Sequence, residues 1–272
     1  MTAIKRKTIL GVNVSATSYE EVLALCRQWI EQRDTLPSRA RYVCVTSVHG
    51  IMTAVADRSF RSLLNGADVA TPDGMPLVWA LRSFGVARQQ RVYGPDLMLA
   101  ICRQAAQLGH SIYLYGGRPD TLRDLQRALE KNMPGIEIAG SYAPPFRPLT
   151  PEEDADAVQR IRDVRPDILF LGISTPKQER WMHDHAERFP GMVMFGVGAA
   201  FDFHAGRVPQ APSWMQRRGL EWFFRLMMEP RRLWKRYLFV TPLFVPMWAM
   251  QWVGLLRYRD TVREAGRSQI SN

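Results

Sequence analysis

The chain has 272 residues, of which 46% are hydrophobic, and a net charge of +10. Such a length supports one substantial core and lies near the size at which α/β chains begin to divide. The three cysteines, Cys26, Cys44 and Cys102, are odd in number and lack metal-type spacing, which argues against a disulfide framework or a zinc site. No early apolar run is long enough for a signal peptide, so we expect the body of the protein to stay in the cytoplasm.

Apolar β-like runs alternate with amphipathic helical segments along the body. Strands are predicted over residues 8–14, 42–46, 68–71, 111–115, 136–139, 167–172 and 193–197. Two of the helices between them have start signals: Ser18 and Glu21 have capping-box spacing, and Thr150 precedes a proline and acidic residues. The alternation predicts an α/β fold with a mostly parallel sheet flanked by helices.

The composition changes near residues 208–212, where Arg, Trp and Met become frequent. We therefore predict an α/β domain over residues 1–206 and a helical, basic and aromatic appendage over residues 207–272. The appendage has twelve Lys and Arg against four Asp and Glu, so +8 of the net charge of +10 lies there. A tail of this kind suits nucleic acid, an anionic membrane surface or a polyphosphate ligand.

Residues 237–256 form a run of 20 positions without a charged side chain. The run is about long enough to cross a bilayer as a helix. Pro242 and Pro246 weaken its middle, and Trp248, Trp252 and Tyr258 favour membrane interfaces. A segment that lies in the membrane face is therefore favoured over a spanning helix. A third alternative is a terminal helix pair packed on the body or on a neighbouring subunit.

Ligands bind at the carboxyl ends of the strands in sheets of this type, so the turns there are the first places to search. Asp73 lies on the turn that follows the 68–71 strand. A carboxylate at this position could accept the proton of an attacking hydroxyl. The alternative is structural, because aspartate is a good cap for the helix that follows.

Paired glycines, Gly116 and Gly117, stand between a predicted strand and a helix. They could bring backbone N–H groups close to a pyrophosphate, although a tight turn needs the same residues. The full glycine fingerprint of dinucleotide sites is missing, which argues against such a cofactor.

A third turn contains Thr175, Pro176, Lys177 and Gln178. A capping box with proline at the first helical position would explain Gln178 structurally. Lys177 and Gln178 would nonetheless face a phosphate or sugar bound at that helix end. Small residues at 196–200, ahead of Asp202, allow either ligand approach or close packing.

Arg91 is a candidate phosphate ligand, with a solvated arginine as the commoner alternative. The five histidines show no recurrent ligand spacing. The sequence therefore predicts no metal site.

The turn motifs become specific when their order along the chain is considered. They are Asp73-Gly74-Met75-Pro76, Gly94-Pro95-Asp96-Leu97, Tyr115-Gly116-Gly117, Pro176-Lys177-Gln178-Glu179, Gly196-Val197-Gly198, Phe201-Asp202, Gly219-Leu220-Glu221-Trp222 and Glu229-Pro230-Arg231-Arg232. In this order the chain resembles the WecG/TagA/CpsF glycosyltransferases, also called glycosyltransferase family 26. The resemblance runs from about residue 8 to residue 237.

The resemblance implies an inverting, metal-independent hexosyltransferase of Rossmann-like design that needs no cofactor and functions in cell-surface or exopolysaccharide synthesis. Its expected donor is a UDP-sugar, and its expected acceptor is a sugar linked to undecaprenyl diphosphate. Asp73 corresponds to the proposed general base. The residues expected to bind donor or substrate are Thr46, Ser47, Arg91, Gly116, Gly117, Lys177, Gln178 and Asp202.

The resemblance also implies that the appendage docks on the cytoplasmic leaflet of the bacterial plasma membrane, as a peripheral or monotopic protein. Four of its arginines, Arg225, Arg231, Arg232 and Arg236, become candidates for contact with the acceptor diphosphate, because a guanidinium pairs with phosphate oxygens through two bonds. One departure is Ser47, which stands where the family has the asparagine of Thr-x-Asn, so the donor contact at this turn is expected to differ.

Two other hypotheses stay open at this stage. The chain could be a non-catalytic membrane scaffold of a polysaccharide assembly complex. It could also bind nucleic acid through its basic tail, although the uncharged run 237–256 fits a nucleic-acid groove poorly, so we expect no nucleic-acid partner. The subunit count is left undetermined, with a homo-oligomer as one alternative.

Overall fold

A computed structural model describes residues 4–35 and 39–258. The chain forms two compact units, each assembled from separate segments. The first unit comprises the described parts of Met1–Ser18, Thr46–Val92 and Ala211–Asn272, and the second those of Tyr19–Val45 and Tyr93–Gln210.

The main sheet has six strands, and five of them extend through the second unit. These five strands run parallel in the order β3-β8-β7-β5-β6. Their bounds are Arg41–Thr46 (β3), Ser111–Gly116 (β5), Glu137–Tyr142 (β6), Ile168–Gly172 (β7) and Val193–Gly196 (β8). The central strand β7 has the apolar sequence Ile-Leu-Phe-Leu-Gly, and a continuous apolar run is typical of a strand covered on both faces.

The second unit contains six helices in its described part. Their bounds are Tyr19–Glu31 (α1), Gly94–Leu108 (α5), Pro119–Asn132 (α6), Pro151–Val164 (α7), Lys177–His185 (α8) and Ala200–His204 (α9), with a 3₁₀ turn at Ala186–Arg188. Of these helices, α6, α7 and α8 each connect two successive parallel strands. The start predicted for α7 is confirmed: the Thr150 hydroxyl accepts a bond from the Glu153 N–H, and the Glu153 carboxylate accepts one from the Thr150 N–H.

The first unit contains a strand pair, one strand of the main sheet and several short helices. The strands are Arg6–Ile9 (β1), Val12–Ser15 (β2) and Val69–Pro72 (β4). The first three helices are Val48–Ala56 (α2), Arg58–Asn65 (α3) and Met75–Ser83 (α4). The later helices are Ser213–Arg217 (α10), Glu221–Met228 (α11), Pro230–Lys235 (α12) and Phe244–Trp252 (α13).

The single strand predicted over residues 8–14 is wrong in detail. Residues 6–15 form an antiparallel hairpin in which Ile9 pairs with Val12. Leu10 and Gly11 connect the two strands with φ angles of 48° and 85°, and positive φ at both positions is what a type I′ hairpin turn requires. In the sequence, an apolar run that contains one glycine has the same pattern as a continuous strand, so the turn was not predicted.

The uncharged run 237–256 is divided among short elements. A π-helical segment covers Arg236–Val240, a 3₁₀ turn covers Thr241–Leu243, and α13 follows. Gln251 of α13 bonds to the hairpin, since its Oε1 accepts from Leu10 N–H and its Nε2 donates to the Thr8 carbonyl, both at 2.8 Å. Within the described ranges, none of the helices combines the length and apolarity needed to cross a membrane.

The predicted fold class is confirmed, since a mostly parallel sheet flanked by helices is present together with a helical C-terminal region. The two compact units follow a different division from the one drawn from composition, because residues from Ala211 onward group with the N-terminal hairpin. The boundary between residues 206 and 207 stays a prediction about domains.

Candidate active site

A cavity of about 100 Å³ lies within the first unit. The turn after β4 contributes Asp73 to its wall, and the start of α2 contributes Ser47 and His49. The other polar side chains of the wall come from Arg91, Gln216, Glu221, Arg225, Arg236, Tyr237 and Thr241. Both carboxylates and guanidinium groups therefore face one small space.

Asp73 lies between β4 and α4, and its backbone N–H donates to the Thr46 carbonyl at 2.9 Å. The alternative role of Asp73 as a helix cap is not what the structure shows. Gly74 occupies the N-cap position of α4, where no side-chain capping bond is made, and Pro76 is in the first turn. The Asp73 carboxylate instead lines the cavity with 21% of its side chain exposed.

Arg91 connects Asp73 to a second carboxylate. Its Nε donates to the Asp73 main-chain carbonyl at 2.7 Å, and its Nη2 donates to Glu221 Oε2 at 2.6 Å. The same Nη2 lies 3.5 Å from Asp73 Oδ1. Arg91 and Glu221 are 16% and 13% exposed, so this ion pair is well shielded from water. Arg91 therefore holds both the backbone of the Asp73 turn and the start of α11.

Glu221 was missed as a site residue in the sequence analysis. Its motif, Gly219-Leu220-Glu221-Trp222, contributed only to the family resemblance. An acid in the first turn of a helix has an ordinary explanation, because it offsets the helix dipole. The 130 positions between Glu221 and Arg91 leave no local signal that could have found the pair.

The basic side of the cavity is formed by Arg225 and Arg236. Burial is the largest influence on Arg236 and lowers its pKa, and the charges of Arg225 and Arg232 act in the same direction, whereas those of Tyr237 and Asp73 oppose it. A guanidinium keeps its charge even so. The result is a buried positive charge beside other positive charges, an arrangement that an anion would stabilise.

Three buried polar atoms of cavity residues have no hydrogen-bond partner among the residues that the structure describes. They are Arg236 Nε, Thr241 Oγ1 and His49 Nδ1. Burial lowers the pKa of His49 to about 4, and the Arg236 charge adds to the effect, so the imidazole is neutral near pH 7. Unsatisfied buried polar atoms are uncommon in folded proteins, so this wall is a candidate place for the polar group of a ligand.

Thr46 and Ser47, which were predicted to bind the sugar donor, lie at the end of β3 and the start of α2. Ser47 lines the cavity and occupies the N-cap position of α2 without making a capping bond. Thr46 is buried, and its carbonyl supports the Asp73 turn. Contact of either residue with a donor sugar stays a prediction.

The second unit contains the remaining residues that were predicted to bind the sugar donor. Gly116 has a φ of 126°, and a Cβ at this position would lie 2.7 Å from the Gly172 carbonyl carbon, so close packing of β5 on β7 already requires a glycine. Gly117 also has a positive φ, 70°. Asp202 lies in α9, where its carbonyl accepts from Arg207 and Val208 N–H. Pyrophosphate binding by the glycines and donor contact by Asp202 stay predictions.

The capping box proposed for Gln178 is wrong. Helix α8 begins at Lys177 after Pro176, without a side-chain cap. Gln178 is 2% exposed, and its side chain lies against the last residue of β8, where a Cβ added to Gly196 would meet Gln178 Nε2 at 3.0 Å. Lys177 is exposed at the helix start. The long amide side chain thus extends toward the carboxyl end of a strand rather than back along its own helix.

Two of the four arginines predicted to contact a diphosphate, Arg225 and Arg236, line the cavity. Arg231 and Arg232 are exposed on α12, and Arg232 Nη1 lies 2.9 Å from Glu229 Oε1.

The C-terminal segment from Trp214 to Leu255 also exposes large apolar side chains. They are Trp214, Trp222, Phe223, Met227, Met228, Trp234, Leu238, Phe239, Leu243, Val245, Met250, Trp252, Val253 and Leu255. Exposed basic residues, including Arg217, Arg218 and Lys235, occur among them in the same segment.

Residues 7–258 match the model of the glycosyl transferase WecG/TagA/CpsF family. Two similar relatives carry the name N-acetylglucosaminyldiphosphoundecaprenol N-acetyl-beta-D-mannosaminyltransferase. The protein of Bacillus subtilis strain 168 is 32% identical over 185 residues, which is 68% of this chain and 70% of the relative. The protein of Bacillus spizizenii is 31% identical over the same shares.

Proposed function

Because the chain belongs to the WecG/TagA/CpsF family of glycosyltransferases, we propose that it transfers a sugar, with inversion, from a UDP-sugar to a saccharide linked to polyprenyl diphosphate. The names of the two Bacillus relatives specify an N-acetylglucosaminyl-diphospho-undecaprenol acceptor. We take this acceptor class as that of the present enzyme. The donor sugar can be identified by a screen of UDP-sugars. The product would belong to cell-surface or exopolysaccharide synthesis.

The chemical step assigned to Asp73 is removal of a proton. The acceptor hydroxyl oxygen attacks the anomeric carbon, the bond from that carbon to the UDP oxygen breaks, and UDP leaves with the electron pair. The hydroxyl proton passes to the Asp73 carboxylate. Arg91 supports this role by holding the Asp73 main-chain carbonyl at 2.7 Å.

The observation that supports this proposal most is the presence, on the basic wall, of buried donors that have no partner within residues 4–35 and 39–258. Arg236 Nε and Thr241 Oγ1 are buried in a cavity that Asp73 also lines. A diphosphate would supply the missing acceptors and offset the charges of Arg225 and Arg236. Arg231 and Arg232 are proposed to extend this positive region on α12.

We further propose that the C-terminal helices attach the enzyme peripherally to the cytoplasmic leaflet. Exposed aromatic and aliphatic side chains next to basic ones are the composition of interfacial helices. A polyprenyl carrier stays in the bilayer, so attachment there would bring its diphosphate within reach of the arginines.

A donor screen with the Asp73→Asn variant tests the chemistry. Full-length enzyme receives UDP-linked glucose, N-acetylmannosamine and their uronic acids, together with an isoprenoid-diphosphate N-acetylglucosamine acceptor. One donor should be used, and Asp73→Asn should lower kcat by about 10²–10⁴-fold because the amide cannot accept the proton.

Asp57→Asn is the matched control. Asp57 caps α3 by accepting bonds from Ser59 and Phe60 N–H, a role that asparagine performs equally well. The control should retain wild-type turnover. Full turnover of Asp73→Asn would remove the assigned role of the carboxylate, and inactivity of the wild type with every donor would favour the scaffold alternative.

A further inference from the structure

Glu179 is a buried acid in the first turn of α8 for which the proposed chemistry has no use. It is 2% exposed, as is its neighbour Gln178. No arginine, lysine or histidine forms an ion pair with it among the described residues. An isolated carboxylate in such a place would be costly, so its presence requires a physical reason.

The hydrogen bonds around Glu179 connect it to Gln178. Glu179 Oε1 accepts from Thr175 Oγ1 at 2.8 Å and from Gln178 Nε2 at 3.2 Å. The second oxygen, Oε2, has no partner in the described part of the chain. One oxygen of the acid therefore orients two neighbouring donors.

The bond from Gln178 Nε2 decides which way the amide faces. Because Nε2 is bound to Glu179, the amide oxygen Oε1 faces the turn after β8, which contains Gly198. A Cβ atom added to Gly198 would lie 3.6 Å from this oxygen. Gln178 Oε1 has no hydrogen-bond partner among the residues described. The amide oxygen is thus an acceptor that none of the described residues satisfies.

Burial raises the pKa of Glu179, and the bonds from Thr175 and Gln178 offset only part of this effect. A raised pKa favours the protonated, uncharged acid. An uncharged carboxyl group still offers its carbonyl oxygen to both donors.

We propose that Glu179 is a positioning residue that holds the Gln178 side-chain amide with its oxygen facing the turn after β8. The inference rests on the proposed function for the role of Gln178 at the donor site. The bond itself can be measured without that function.

The activity test compares four variants of full-length enzyme with the wild type. Glu179→Gln keeps a carbonyl acceptor and should retain kcat/KM within about threefold of wild type, whereas Glu179→Leu removes the acceptor and should lower kcat/KM by about tenfold or more. In a Gln178→Ala background, Glu179→Leu should cause no further loss, because residues that act through one another are not additive. Full additive losses would overturn the inference.

A stability cycle separates this inference from the proposed function. Urea unfolding of wild type, Gln178→Ala, Glu179→Leu and the double variant measures the coupling between the two side chains. A coupling that exceeds experimental error supports the bond even if no donor is found, and additive effects on the unfolding midpoint overturn it.

The raised pKa of Glu179 can be tested by measuring stability as a function of pH. A group whose pKa is raised by folding stabilises the protein fully below its ordinary pKa of 4.5, and this stabilisation is lost as the pH rises through the folded value. Relative to Glu179→Gln, the wild type should therefore lose stability as the pH increases above 4.5. A constant difference across pH would contradict the raised pKa of Glu179.

Discussion

Arg91 makes bonds that no neighbour in sequence could provide. Its guanidinium reaches the carbonyl of Asp73 on one side and the carboxylate of Glu221 on the other. Charged hydrogen bonds of this type fix orientation more strongly than neutral ones. The position of the proposed base therefore depends on a residue of the C-terminal segment.

Glu221→Gln tests this dependence. The amide keeps the shape of the side chain but weakens the bond to Arg91, so kcat/KM should fall by about tenfold and stability by about 1 kcal/mol. Steady-state kinetics and urea unfolding provide the two measurements.

Glu229→Gln is the matched control, because Glu229 pairs with Arg232 on the helix surface, where ion pairs contribute little. Its unfolding midpoint should equal that of the wild type. Equal kinetics for Glu221→Gln and the wild type would show that the ion pair does not position the site.

Helix starts show where local sequence was sufficient and where it was not. The signals at Thr150 predicted a helix start, and the structure forms that start with a capping box whose two bonds measure 3.2 and 2.9 Å. Similar residue types at Thr175 and Gln178 predicted a capping box, which is absent. The difference arises because the buried Gln178 amide donates to the Glu179 carboxylate, whereas the Glu153 carboxylate at the surface accepts from the Thr150 N–H as well as from Arg147.

Thr150→Ala should destabilise the protein by about 1 kcal/mol, because the Glu153 N–H loses its acceptor. Thr150→Ser keeps the hydroxyl and should behave like the wild type. Chemical unfolding of the three proteins measures the difference. An unfolding midpoint of Thr150→Ala equal to that of the wild type would mean that this cap contributes nothing to stability.

Exposed apolar side chains, like the net positive charge, are concentrated toward the C-terminal end of the chain. The C-terminal helices carry exposed Trp, Phe and Met side chains together with basic residues. Residues from this region also line the cavity with Asp73. The same segment thus contributes to both the proposed membrane surface and the proposed active site.

Vesicle co-sedimentation tests the membrane surface. Full-length protein should bind vesicles that contain phosphatidylglycerol more tightly than phosphatidylcholine vesicles, and added salt should weaken the binding. Replacing Arg217 and Arg218 by glutamine should weaken it by roughly tenfold or more, since each basic residue contributes about 1 kcal/mol.

The control replaces Arg123 and Arg127, two exposed arginines of α6, by glutamine and removes the same net charge. It should leave vesicle binding close to that of the wild type. Equal weakening by both pairs would indicate a general charge effect rather than a docking surface.

The sequence by itself determined the fold class, most strands and the family. The fold class and the strands could be predicted because the spacing of apolar residues and the turns at strand ends are local properties of the chain. The family could be predicted because the motifs after the strands follow one another in a fixed order. The turn after β4 also identified Asp73 as a residue on the site wall, although its alternative as a cap could be rejected only in the structure.

Only the tertiary structure decided which distant side chains meet. The Arg91–Glu221 pair, the Leu10–Gln251 bond and the three unpartnered atoms of the cavity wall depend on the path of the chain between segments far apart in sequence. Local propensity acts over a few residues, whereas these contacts are fixed by packing across the first unit. Gln178 shows the same limit, since its neighbours in the sequence suggested a cap and its neighbours in space prevent one.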